Sequence, residues 1–303
     1  MRNRRIEDIT TLITEAEPDS LAEIYHENSK LRPLNTKQYG EFVASVLSSP
    51  YLMERMAHSY KTYPTVSRIS LPQDFCSSDC AAVTVERAIE LRRTVRDFSG
   101  EPISIEQISR LLHYGYGITV TTGTGGAVEW TQSFRAAPSA GALYPLELYF
   151  VVWTPLDFEP GIYHYCVPNH ALELVKPGDF SELATTNALS EDIKATASGV
   201  FLVSGIFRRS MLKYNERGYR FVLIEAGHLA QNMCLAACTM NLGIFPIGGF
   251  LDDELNRMVM IDGVNETVIY VLAVGGIRNA LPLVRRQPHR SGLYQSNSRR
   301  NPC

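Results

Sequence analysis

Ile105, Ile108, Leu111 and Leu112 return at intervals of three and four, the spacing of a helix with one buried face. Ser104, with Gln107 three residues on, forms a capping box at its start, and Gly115 or Gly117 ends it. Val83–Arg93 reads as a helix before it. Tyr39, Phe42, Val43, Val46 and Leu47 predict another, capped by Asn35 or Thr36 and ended by Pro50, with a short helical stretch around Tyr51–Tyr60 after it. Elsewhere the pattern switches to short, unbroken apolar runs. Leu148–Trp153, Val200–Phe207 and Val268–Val274 are rich in β-branched or aromatic residues, as strands buried on both faces are. Gly161–Val167 and Ala171–Lys176 read as two strands joined by a tight turn at Pro168-Asn169-His170. Phe221–Leu242 predicts a long helix closed by Gly243, and Leu255–Ile261 a short one. Strands mixed with helices indicate an α/β or α+β sandwich around a central sheet.

The long helix carries apolar residues all round and therefore needs cover on every side. It is either the centre of one core or half of a seam between two copies; the pattern alone does not choose. Glu225, His228, Gln231 and Asn232 interrupt it, which suits a buried helix of a soluble core better than a membrane span. Residues 1–80 differ from the rest: a helical extension, then a Pro-, Ser- and Asp-rich linker from Tyr63 to Cys80. The regular pattern runs from residue 81 to 303. A formal net charge of −3 gives no reason to expect a nucleic-acid partner. The arginines near Met1 lack a following apolar segment, so a secretory signal is not expected and a cytoplasmic location is. The six cysteines include no Cys-x-x-Cys pair, so neither a metal nor a required disulfide is expected.

Four segments are candidates for chemistry. Arg92-Arg93-Thr94-Val95-Arg96 sets three guanidinium groups at a helix end, and arginine's planar fork suits phosphate; taken alone it is a solvated charge cluster. Pro138-Ser139-Ala140-Gly141-Ala142-Leu143-Tyr144-Pro145 lets a flat ligand approach the backbone and leads into a strand. Gly248 and Gly249 in Gly243-Ile244-Phe245-Pro246-Ile247-Gly248-Gly249-Phe250 permit the same close approach. Lys213 and Tyr214 could serve as acid or base where burial shifts them toward neutrality. Thr121–Gly126 lacks dinucleotide-fingerprint spacing and reads as a mobile loop.

In order, Arg92-Arg93-Thr94-Val95-Arg96-Asp97-Phe98, Pro138-Ser139 and Pro246-Ile247-Gly248-Gly249-Phe250 resemble the FMN-dependent nitroreductase superfamily. Arg135–Tyr149, Gly161–Tyr165, Lys213-Tyr214 and Glu225–Asn232 resemble more finely its SagB-type branch, the azoline oxidases. The resemblance covers about residues 81–286. It implies an α+β, nitroreductase-like three-layer sandwich with a mostly antiparallel central sheet flanked by helices. It also implies an intertwined homodimer with two FMN sites at the subunit interface. Arg92, Arg93, Thr94 and Arg96 would hold the ribityl chain and phosphate, joined by Arg285 or Arg286. Pro138, Ser139, Gly141, Ala142 and Leu143 would line the isoalloxazine from the other subunit. Pro246, Ile247, Gly248 and Gly249 would lie beside the reactive edge, and the long helix would become the dimer core. Ordinary nitroreductases continue the Pro-Ser loop with Asn and Gln where this chain has Ala142 and Tyr144, which favours the azoline-oxidase branch.

The activity so implied is dehydrogenation of a thiazoline or oxazoline to the azole. Hydride would pass to flavin N5, Lys213 and Tyr214 would be the proton acceptors, and O2 would reoxidise the flavin. The substrate would be a peptide or small molecule delivered by other biosynthetic enzymes. The alternatives are an NAD(P)H-dependent nitro or quinone reductase, a flavin dehydrogenase of another small intermediate, and a flavin-binding scaffold subunit.

Overall fold

The unbroken apolar runs form the strands expected of them, because residues alternating to opposite faces are all apolar only where both faces are covered. The computed structural model describes residues 20–75, 83–123, 125 and 130–278. Seven strands make one sheet: β1 (Arg68–Ser70), β4 (Leu146–Val152), β5 (Gly161–Cys166), β6 (Ala171–Pro177), β7 (Gly199–Gly205), β8 (Leu242–Ile247) and β9 (Thr267–Gly276). Their order is β1-β6-β5-β4-β7-β9-β8, and every ladder is antiparallel. β2 (Ile118–Gly123) and β3 (Thr131–Arg135) form a separate hairpin.

Alternation divides the sheet's side chains between two layers. Leu146, Leu148 and Phe150 of β4 join Phe201, Leu272 and Val274 in a core covered by α5 (Ile105–Tyr116) and α8 (Arg217–Cys238). Tyr149, Val151, Leu202 and Val271 point the other way, under α6 (Ser181–Asn187) and α9 (Asp252–Met258). The result is the α+β sandwich with a central antiparallel sheet. α1 (Leu21–Asn28), α2 (Pro33–Leu47) and α3 (Pro50–Ala57) precede the sheet, and α4 (Val85–Leu91) leads into the arginine segment.

The elements depart from expectation where sequence signals were short or shared. α2 begins at Pro33 behind Arg32; Asn35 caps it from inside, its Oδ1 accepting the Arg32 N–H at 2.7 Å. Pro50 both stops α2 and opens α3. The linker expected at Tyr63–Cys80 contains β1, three residues whose alternation is too brief to signal a strand. Thr121–Gly123, expected in a mobile loop, belongs to β2. The strand expected to reach Phe207 stops at Gly205, and Phe207–Tyr214 is α7. The long helix runs four residues earlier than Phe221–Leu242, and Leu242–Ile247 is edge strand β8 rather than a cap and turn. Gly243 therefore caps nothing; a Cβ there would lie 2.6 Å from the Val95 side chain.

A buried ionic network ties residues 61–70 to the sheet. The Tyr63 N–H donates to Glu173 at 3.0 Å, and Arg68 pairs with the same carboxylate at 2.7 Å. Lys61 reaches Glu266 and the Tyr149 hydroxyl, each at 2.5 Å. His164 is fully buried with Nδ1 2.9 Å from Glu173 and Nε2 3.2 Å from Glu147. Burial alone would lower its pKa, but the two carboxylates hold it above the ordinary value.

Candidate functional site

The Pro138–Pro145 segment joins β3 to β4 through a turn with three left-handed residues, Gly141 (φ 64), Ala142 (φ 52) and Tyr144 (φ 46). Two of the three carry side chains, so the surroundings must hold the turn. They do: Ser139 Oγ accepts the Tyr144 N–H at 2.9 Å, and the Tyr144 hydroxyl accepts the Arg135 N–H at 2.9 Å.

Gly141 is where the loop meets Lys213 and Tyr214. A Cβ built there would lie 2.5 Å from the Tyr214 hydroxyl and 2.8 Å from Lys213 Nζ. Both side chains come from the last turn of α7. One turn earlier Arg209 pairs with buried Glu147 at 2.6 Å and donates to the Tyr144 carbonyl at 3.4 Å, locking the helix to β4 and the loop. Glu147 is held at about 2: burial opposes the shift, but Arg209 and His164 outweigh it. Lys213 is 5% exposed and forms no ion pair among the described residues; burial lowers its pKa. Burial, then Tyr39, raises that of Tyr214. An ammonium without a counter-charge in such a place favours the neutral amine, the form that accepts a proton.

Beneath the loop lies a network that motif reading missed. Glu225, 2% exposed on α8, accepts hydrogen bonds from the Tyr116 hydroxyl at 2.6 Å and from Ser139 Oγ. Burial raises its pKa to about 7, although Ser139, Tyr116 and Arg135 all act in the opposite direction. Arg135 lies between the rings of Tyr116 and Tyr144, 4.5 and 4.7 Å from their centroids. The available signal was a carboxylate inside an otherwise apolar helix, since such a group is rarely buried without a task.

A second cluster forms around β8. Thr94 bridges Ile244 in parallel and the Val95 N–H donates to the Ile244 carbonyl at 3.2 Å, which draws the arginine segment along this edge strand. Arg96 stacks 4.6 Å from the centre of Phe245. Arg93 donates to the carbonyls of Glu90 and Arg92, and Arg92 lies near enough to Cys234 and Cys238 to act on their thiols. Among the described residues Arg92 and Arg96 form no ion pair with a carboxylate. Pro246 and Ile247 pair with Leu272 and Val271 of β9. Gly248 and Gly249 follow, exposed, and a Cβ on either would meet nothing within 4 Å. Arg285 and Arg286 lie outside the described residues.

The chain does not bring these two clusters together. Glu225 marks the loop cluster on α8 and Cys234 and Cys238 the arginine cluster, about 14–20 Å apart at 1.5 Å per residue. α8 is not covered on every side as expected: Leu223 and Ile224, just before Glu225, are exposed, and Gly227, just after it, has open space beside it. By length and composition α8 could cross a membrane, but half of its apolar window is buried against the fold.

Comparison with known proteins gives these arrangements a relationship. A model of the nitroreductase family matches residues 89–276. A protein of Methanocaldococcus jannaschii that carries the name nitroreductase is 31% identical over 183 residues, 60% of this chain and 87% of that protein. The trifolitoxin operon protein TfxC of Rhizobium leguminosarum is 23% identical over 73% of this chain and 62% of its own length. The microcin B17-processing protein McbC of Escherichia coli is 29% identical over 42% of this chain and 49% of its own length. Among solved structures, a nitroreductase from Anabaena variabilis superposes with a TM-score of 0.67 at 25% identity, over 88% of this chain and 48% of that one. The chain thus spans about half the length of the Anabaena and Escherichia coli proteins.

Proposed function

The chain belongs to the nitroreductase family, a family of FMN-dependent oxidoreductases, and from that premise we propose that it dehydrogenates a thiazoline or oxazoline ring to the azole. The observation that carries the reading is the convergence of buried Lys213 and half-buried Tyr214 on Gly141. A reductase fed by a nicotinamide needs no protein base beside its flavin; removal of a ring proton does. Similarity to proteins named for processing microcin B17 and for the trifolitoxin operon supports the same direction.

The residues present fit FMN. Among the described residues Arg92 and Arg96 pair with no carboxylate, which leaves their guanidinium groups for a phosphate, and Gly248 and Gly249 leave open backbone beside β8. The loop cluster would line the flavin from a second copy, because one chain keeps the two clusters about 14–20 Å apart along α8. A homodimer packed on the bare stripe around Leu223 and Ile224 would join them. FMN, when bound, would supply the two-electron acceptor for the ring hydride, with O2 as the final oxidant. Lys213, whose pKa burial lowers, takes the proton released from the ring carbon, and the Tyr214 hydroxyl beside it positions the ring nitrogen or heteroatom. Arg209 and Glu147 keep α7 in place, so the amine stays over Gly141.

The test is anaerobic mixing of the yellow protein with a thiazoline-containing peptide and, separately, with NADPH. Bleaching by the thiazoline alone is expected, and a Lys213→Ala variant should keep the flavin spectrum but lose bleaching. Bleaching by NADPH alone would replace this reading with the nitro or quinone reductase.

A further inference from the structure

The extension ahead of the sheet is fastened to the same place as Lys213 and Tyr214. The Tyr25 hydroxyl donates to the Glu216 carbonyl at 3.0 Å. Arg217 and Arg220 donate to the carbonyls of Ser29 and His26 at 3.1 and 2.6 Å, at the end of α1, where a helix leaves carbonyls unpaired. Tyr25 meets Tyr219 edge-on, with ring centres 5.2 Å apart. Phe42 and Val46 of α2 and Met56 of α3 pack with Leu143 and Tyr214. Residues nearly two hundred positions away in sequence thus form a wall against Tyr214 and the start of α8.

Between wall and core lies a cavity of about 290 Å3, open on one side. Tyr39, Phe42 and the Tyr214 ring give it apolar surface; Gln38, Asn215 and Arg217 give it polar groups. Among the described residues the side chains of Gln38 and Tyr39 make no hydrogen bond with the protein. Their amide and hydroxyl groups can each donate and accept, which matches a peptide unit carrying one N–H and one C=O. The volume lies at the small end of ligand pockets, roughly 300–1,000 Å3, so it has room for a residue or two and not for a long peptide. The hydrogen bonds from Arg217, Arg220 and Tyr25 fix one wall to the other, so the space is preformed.

We propose that this cavity is a flank subsite, taking the one or two amide-linked residues next to the ring that is oxidised beside Lys213 and Tyr214; it rests on the reaction assigned above. The extension then selects substrates carrying a peptide flank over the bare ring.

The experiment titrates the FMN-loaded protein, by calorimetry, with two product-like probes: a blocked peptide with a thiazole between two residues, and a bare methylthiazole. Binding is read without turnover, so a wrong reaction and a wrong subsite fail separately. The flanked probe should bind about tenfold or more tightly than the bare one, as two neutral hydrogen bonds allow. Gln38→Leu combined with Tyr39→Phe should erase that advantage while the flavin spectrum and the bare-ring affinity stay as they were. Equal affinity for both probes in the unaltered protein, or an advantage that survives in the double variant, overturns the subsite. Melting temperature and flavin content of the variant identify a folding defect; the single Tyr39→Phe change, which removes one oxygen, then decides by the same comparison.

Discussion

Replacing Glu225 by Gln keeps the shape and hydrogen-bonding reach of the side chain and removes its charge. In the folded chain burial lifts this carboxyl from its ordinary value of 4.5 to about 7. A shift of that size corresponds to about 3 kcal/mol at 1.36 kcal/mol per pKa unit. The sign follows from a folded pKa raised above the unfolded one. The folded state holds its proton longer, so the contribution is complete below about pH 4.5. It is lost progressively as pH rises to about 7, beyond which the difference is constant. The amide of the variant cannot titrate. The stability difference between the native protein and Glu225→Gln should therefore change by about 3 kcal/mol between pH 4.5 and 7.5, in favour of the variant at the alkaline end. At roughly 2–4 °C per kcal/mol, that is about 6–12 °C in melting temperature. Thermal unfolding of both proteins in half-unit pH steps measures it, and subtraction cancels His164 and the other groups they share. Because Glu225 holds Ser139, the loop should also follow this titration, visible as a pH-dependent flavin absorbance in the native protein alone. Parallel melting curves across the whole range would refute the reasoning: Glu225 would then titrate like an ordinary surface carboxylate.

Gly141→Ala forces a left-handed alanine and sets a methyl group against the Tyr214 hydroxyl and Lys213 amine; stability should fall by about 1 kcal/mol and turnover by about a hundredfold. Steady-state rates within twofold of the native protein would show that the pair does not act at that point. Arg209→Met leaves Glu147 buried without its cation and should cost about 3–5 kcal/mol, read as a lower urea midpoint. An unchanged midpoint would mean that His164 alone compensates the carboxylate. Ile224→Glu puts charge on the bare stripe of α8 and should give a monomer in sedimentation, with FMN lost, because the loop cluster of one copy then no longer meets the arginine cluster of another. A flavin-loaded variant dimer would move the interface elsewhere.

Much of the fold was legible because its signals are local. The capping box at Ser104 and Gln107 and the four-residue rhythm after it define α5 within one helical turn of information. The all-apolar runs of β4, β7 and β9 announce a doubly covered sheet, since nothing else makes both faces of a strand apolar. The Pro-Ser loop, the arginine segment and Lys213-Tyr214 stood out as residue types suited to a flat, phosphate-bearing cofactor and to proton transfer. What was not legible depends on partners distant in sequence. β1 is a strand only because β6 lies beside it, and β8 only because β9 does; neither carries enough alternation of its own. α7 hides behind the apolar run that precedes it. Glu225 looked like an interruption of an apolar helix until folding set Ser139 and Tyr116 against it from two other elements. The helical extension gave no hint that it ends over Tyr214, because Phe42, Val46 and Met56 reach that ring only in the fold, and the hold on α1 runs through the carbonyls of His26 and Ser29, which have no residue type. Sequence thus determined the elements that carry a strong pattern of their own and the residue types set on them. The tertiary structure alone decided which groups meet, because burial, charge pairing and the shift of a proton affinity exist only once distant segments share one dry interior.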